Sequence, residues 1–147
     1  MKRLKSYNES IRDKMTPRSE QEVEDAIGDC APNAKLEAAV SNGVLFVVKK
    51  AIEEGADINI NGGVCLQRAV DSKNADLVKL LVELGADVHV NIDYAIRWAA
   101  YNNNLKMVKV LLDAGAKANV AGGFPLKMAT KRGNNEMIEL LKKYIKK

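Results

Sequence analysis

The chain has 147 residues and a mass of 16.1 kDa, with 47% hydrophobic and 29% charged residues. That balance fits one globular domain and excludes wholesale disorder. Two cysteines, Cys30 and Cys65, and one histidine, His89, exclude a disulfide scaffold, a multi-histidine metal site and a two-histidine mechanism. The net charge of +4 is unevenly spread: residues 1–18 carry +4, residues 19–63 carry −6, residues 64–121 carry +1 and residues 122–147 carry +5. An acidic front half lies between basic ends. Seven aromatic residues in all are too few for a basic stripe interleaved with aromatics, so nucleic acid is not an expected partner. The longest strictly apolar run, residues 44–48, is far short of a membrane span. Met1-Lys2-Arg3-Leu4-Lys5 has no apolar stretch behind it and does not read as a signal peptide. The expected setting is reducing and cytoplasmic, without a membrane.

Taken in chain order, the first segment is a basic arm in which Leu4, Tyr7, Ile11 and Met15 recur at helical spacing. It reads as a short helix packed on the first repeat, with a tethering motif or a frayed arm as alternatives. Residues 16–28 read as a capping helix. Thr16-Pro17 supplies an N-cap and a first-turn proline, and Ser19 to Glu22 is an alternative capping box. Glu20, Glu22, Glu24 and Asp25 suit the positive helix start. Val23, Ala26 and Ile27 would pack inward, and Gly28 would stop the helix.

From residue 32 onward the chain repeats itself. Gly55-Ala56-Asp57-Ile58-Asn59-Ile60 returns as Gly85-Ala86-Asp87-Val88-His89-Val90 and again as Gly115-Ala116-Lys117-Ala118-Asn119-Val120, a period of thirty. Four apolar columns keep that register: Leu36, Leu66, Ile96, Leu126; Ala39, Ala69, Ala99, Ala129; Val47, Leu77, Met107, Met137; and Val48, Val78, Val108, Ile138. The domain division is therefore 1–31 for the arm and cap, and 32–147 for repeats 32–61, 62–91, 92–121 and 122–147.

Each repeat reads as two helices. The first is expected at 34–42, 64–72, 94–102 and 124–132, where an apolar residue and an alanine three positions on share one face. Polar breaks come next at Asn42-Gly43, Lys73-Asn74, Asn102-Asn103-Asn104 and Arg132-Gly133-Asn134. The second helix is expected at 45–54, 75–84, 105–114 and 135–146. Gly55, Gly85 and Gly115 should end three of these in the left-handed conformation. Two short helices cannot close a core, so the copies must stack, and the alanine column sets how closely. Toward the far end, Asn134, Asn135, Glu136, Lys142 and Lys143 make the last helix more polar, as a solenoid cap requires, and Lys146-Lys147 complements its dipole.

These residues resemble the ankyrin repeat family. The family pattern T-P-L-H-x-A is closest at Phe124-Pro125-Leu126-Lys127-Met128-Ala129. The second-helix signature is closest at Asp76-Leu77-Val78-Lys79-Leu80-Leu81, with Gly85-Ala86-Asp87 behind it. The resemblance covers about 115 residues and implies an all-α, ankyrin-like solenoid of four helix-turn-helix repeats. The period of thirty is shorter than the usual ~33. The missing residues fall between Gly-Ala-Asp and the next first helix, which implies shortened β-hairpin fingers without long paired strands at 57–63, 87–93 and 117–123. Asp93-Tyr94-Ala95-Ile96-Arg97-Trp98-Ala99 looks like the short repeat variant of large-virus or phage ankyrin proteins. Glu37, Gln67, Arg97 and Lys127 stand where the family has its histidine, so arginine or glutamine would have to replace that histidine's hydrogen bonds.

No catalytic constellation emerges, and no cofactor or small-molecule substrate is expected. His89 occupies the asparagine column of the turn (Asn59, Asn119) and reads as a turn residue. Cys65, beside Val64 and Leu66, reads as a packed thiol. Gly62-Gly63 and Gly122-Gly123 lack the context of a phosphate loop and recur at the repeat boundary. What remains is a surface. The resemblance implies a concave face formed by the turns and the exposed ends of the first helices. Its expected contributors are Asn42, Asp71, Ser72, Trp98, Tyr101, Asn102, Lys131 and Arg132, with Asn61, Asn91, Asp93 and Asn119 from the turns. Tyr101 and Trp98 are the expected anchors, with inter-repeat core as the competing reading for Trp98. The chain is thus expected to be a non-enzymatic module that binds another protein. The alternative is a structural subunit that assembles head to tail through its unlike ends. A monomer with at most weak, salt-sensitive self-association is expected, because exposed ion pairs are individually weak.

Overall fold

The computed structural model describes residues 29–146, so the arm, the expected capping helix at 16–28 and Lys147 lie outside the described residues. Among the described residues eight helices run in order: α1 Pro32–Asn42, α2 Leu45–Glu53, α3 Ile60–Asp71, α4 Ala75–Glu83, α5 Val90–Tyr101, α6 Leu105–Asp113, α7 Val120–Arg132 and α8 Asn135–Ile145. Among the described residues there is no strand. The helices pair as α1 with α2, α3 with α4, α5 with α6 and α7 with α8. The first helices stack in the order α1, α3, α5, α7, while α4, α6 and α8 form a second layer. The second-helix boundaries match the sequence reading to within a residue. The last three first helices match to within a residue once the left-handed entry to each is set apart, while α1 has no such entry and starts two residues earlier than expected.

Residues 61–63, 91–93 and 121–123 are each a run of three left-handed residues. Asn61, Gly62 and Gly63 have φ of 52°, 67° and 77°, and the right-handed helix then starts at residues 64, 94 and 124. Glycine suits such a run because it carries no Cβ. At Gly63 a Cβ would also stand 3.0 Å from the Val90 side chain at the start of α5, so any larger residue there would have to displace that side chain.

Every helix from α1 to α7 ends the same way. After α2, the Gly55 N–H donates to the Ile52 carbonyl (3.0 Å) and the Ala56 N–H reaches back to Ala51 (2.9 Å); Gly55 has φ 100°. This is the Schellman arrangement, which satisfies carbonyls left over at a helix end. Gly85 and Gly115 repeat it with φ of 101° and 97°. The first helices do likewise through Gly43, Lys73, Asn103 and Gly133. In the last three repeats the second helix then opens on an asparagine cap. Asn74, Asn104 and Asn134 each accept the backbone N–H three residues on at 3.0 Å, which satisfies a donor that the helix start leaves free.

The apolar columns form the core. Ala39, Ala69, Ala99 and Ala129 are at most 1% exposed, as are Val47, Leu77, Met107 and Met137. The turns are tied across repeats as well. The Asn33 side-chain oxygen accepts the Asp57 N–H at 2.7 Å, and Asn59 accepts the Asp87 N–H at 2.8 Å. Asp57 and Asp87 also accept the N–H two residues on, which tightens each turn.

Candidate binding face

The first helices α1, α3, α5 and α7 present one side away from the second layer. A line of contacts crosses it from repeat to repeat. Arg68 on α3 donates to Glu37 (3.3 Å) and to the Ser41 hydroxyl (3.2 Å) on α1. The Tyr94 hydroxyl on α5 donates to the Asp71 carboxylate on α3 at 2.6 Å. Burial of the Tyr94 ring, reinforced by that bond, pushes the phenol up to about 12. Along α5, Tyr94, Trp98 and Tyr101 stand one helical turn apart. Tyr94 and Trp98 are stacked with centroids 6.1 Å apart, and Trp98 and Tyr101 with centroids 5.1 Å apart. The Arg132 guanidinium of α7 lies 5.7 Å over the Tyr101 ring, a cation–π distance. Tyr94, Arg97, Trp98, Tyr101 and Phe124 line a groove of about 330 Å³. Tyr101 is 45% exposed. Trp98 is half-buried, and its indole Nε1 has no hydrogen-bond partner.

The histidine column of the family pattern is filled by other donors. Gln67 reaches the Gly62 carbonyl at 3.3 Å. Arg97 donates from Nε to the Ile92 carbonyl (2.9 Å) and from Nη2 to the Asn91 carbonyl (3.0 Å). Both bind carbonyls of the left-handed run. Glu37 instead takes Arg68 and, at 3.4 Å, the Asn61 amide.

The other expected face residues differ in availability. Asp71, Lys131 and Arg132 are exposed, as are Asn61, Asn91 and Asn119 in the connections. Asn42, Ser72 and Asn102 bond the carbonyls of Ala38, Ala69 and Trp98 at their own helix ends. Their side chains are engaged in ending helices. Asp93 corrects the sequence reading of an exposed turn residue. It is 6% exposed, and its carboxylate lies 2.6 Å from His89 Nδ1, whose ring covers it from the preceding turn. His89 sits at the cap position of α5. Sequence reasoning leaves three residues of this surface unassigned: Tyr94, Phe124 and the exposed Ile92. The spacing of 94, 98 and 101 is a usable signal for the first. Phe124 comes from the next repeat and carries none.

Cys65 is fully buried. That burial, with the Glu37 carboxylate nearby, pushes its thiol up to about 11, so it stays protonated and is a poor nucleophile. Among the described residues no three His, Cys, Asp or Glu side chains converge, and no helix is long and apolar enough to cross a membrane.

The fold defines a helical repeat protein whose copies are thirty residues long. A family model described as ankyrin repeats (many copies) matches residues 65–112, from the first helix of the second repeat to the second helix of the third. The match supports the ankyrin repeat family, whose members in general mediate protein–protein contacts and are typically not enzymes. No curated protein matches the chain.

Proposed function

We propose that residues 32–147 form a four-repeat domain, with shortened fingers at the left-handed connections, that binds a partner protein through the concave face of its first helices. Rigid presentation of side chains is the mechanism, and the acidic-to-basic gradient along the stack selects the partner. The observation that carries this reading is the aromatic line Tyr94, Trp98 and Tyr101 with its groove, a partly exposed apolar surface that ends on the exposed Tyr101 ring. Burying aromatic rings is a large part of what binding hot spots do. The thirty-residue period favours a viral or phage protein acting in the cytoplasm of its cell or of an infected host.

Head-to-tail assembly is the second reading, favoured by the −6 front and the +5 end. Such a contact would propagate unless it closed a ring. Exposed ion pairs are worth about 0–1 kcal/mol each, so we take the chain to be a monomer at physiological salt.

The test is affinity for a partner recovered from the native cell. Combining Tyr101→Ala with Arg132→Ala should weaken binding at least about tenfold, since two anchors at one contact are lost, and should leave the melting temperature unchanged. Lys79→Glu on the outer layer should bind as the parent does. An equal loss from Lys79→Glu would move the site to the convex side.

A further inference from the structure

One residue on the face stands against its own backbone preference. The middle of the left-handed run is Gly62 in the second repeat and Gly122 in the fourth, but Ile92 in the third, with φ 57° and ψ 55°. A β-branched residue is strained in that region. Ile92 gains no burial in return, being 73% exposed. Arg97 holds the strained segment by bonding the Asn91 and Ile92 carbonyls, and the same side chain lines the aromatic groove. The exposed apolar tip and the groove therefore share one clamp. Strain without a packing return gathers where a residue touches something outside the fold.

The first helix of the repeat that follows carries charge of one sign. α7 contains Lys127, Lys131 and Arg132 and no acidic residue. Among the described residues, neither these three nor Arg97 pairs with a carboxylate. Of the nearby acids, Asp71 on α3 accepts from the neutral Tyr94 phenol and keeps its charge, while Asp93 is buried against His89, so the cations gather on the α7 side of the groove.

We propose that the third repeat and α7 bind an acidic peptide segment of the partner protein. One apolar side chain of that segment packs on Ile92 and the groove of Tyr94, Trp98, Tyr101 and Phe124. Flanking carboxylates meet Arg97 and the cations of α7. This rests on the concave-face reading and adds the partner's chemistry. Single-stranded nucleic acid would also meet the cations, but its bases need free ring faces. Trp98 is stacked on both tyrosines, and Arg132 lies over Tyr101. The groove between these stacked rings and Phe124 suits an aliphatic or aromatic side chain.

Selection of a random dodecapeptide library on the full chain supplies the probe, and synthetic tryptophan-free peptides made from the selected sequences are then titrated. Trp98 is the only tryptophan, so its emission reports this groove alone. The expected binders carry several Asp or Glu around one Leu, Ile or Phe and shift that emission. Ile92→Asn should weaken them at least roughly fivefold. The same change should raise Tm by about 3 °C, because asparagine accepts the left-handed conformation. Neutral or basic binders that still need Tyr101 and Arg132 would overturn the proposal and leave the concave-face reading standing, as would unchanged affinity after Ile92→Asn. Binders indifferent to the Tyr101→Ala, Arg132→Ala pair would overturn both. Tighter binding of oligouridylate than of any peptide, or selection of no binder at all, would overturn the acidic-peptide proposal.

Discussion

Leu111→Ala should destabilise the chain by about 2–5 kcal/mol, from lost transfer energy plus the cavity left behind. Leu111 is fully buried on α6, which packs against α4, α5 and α8. It belongs to a column with Ala51, Leu81 and Leu141, all 0% exposed. Neighbouring helices are held in place by their own columns and cannot collapse into the space, so the upper half of the range applies. In a stack where each repeat touches only its neighbours, a weak interface in the interior also uncouples the two ends. The denaturant midpoint should fall well below that of the parent, and the transition should broaden. A midpoint indistinguishable from the parent would contradict the stacking register.

Ala69→Leu acts in the opposite sense, by overfilling. Ala69 is 0% exposed on α3, with α1 on one side and α5 on the other. A methyl fills the space between adjacent first helices. Three further carbons must push one neighbour away or leave their preferred rotamer, at a cost of roughly 1–3 kcal/mol. Because α5 carries the aromatic line, displacement should also disturb Trp98, whose emission provides a second readout. Urea unfolding monitored by circular dichroism and by Trp98 emission would measure both. A stability equal to the parent would show that the first helices are not in close contact at this column.

The repeat makes much of this legible in advance. A period of thirty fixes the phase of every column, and the glycines and asparagines between helices mark the ends. Gly55, Gly85 and Gly115 are left-handed for the reason glycine is used there, and Asn74, Asn104 and Asn134 cap as their position implies. What a column cannot convey is a departure within one copy that is answered from another part of the stack. Lys35 stands where later repeats have Cys65, Ala95 and Pro125, yet it is 3% exposed and its ammonium donates to Glu54. Asp93 is buried because the ring of His89, four residues earlier, meets its carboxylate. The groove needs Phe124 of one repeat opposite Tyr94, Trp98 and Tyr101 of another. Nothing in the column marks Ile92, and only the backbone shows it left-handed and exposed.

Hydrogen exchange of the chain, free and bound to its partner protein, tests the location of the binding face most directly. Amide exchange reports local opening residue by residue, so a bound partner leaves a footprint on the helices it covers. The concave-face account places new protection on α5 and α7 and on the connections at 91–93 and 121–123, with α4 and α6 exchanging as in the free chain. New protection on α4, α6 and α8, with α5 and α7 unchanged, would contradict it.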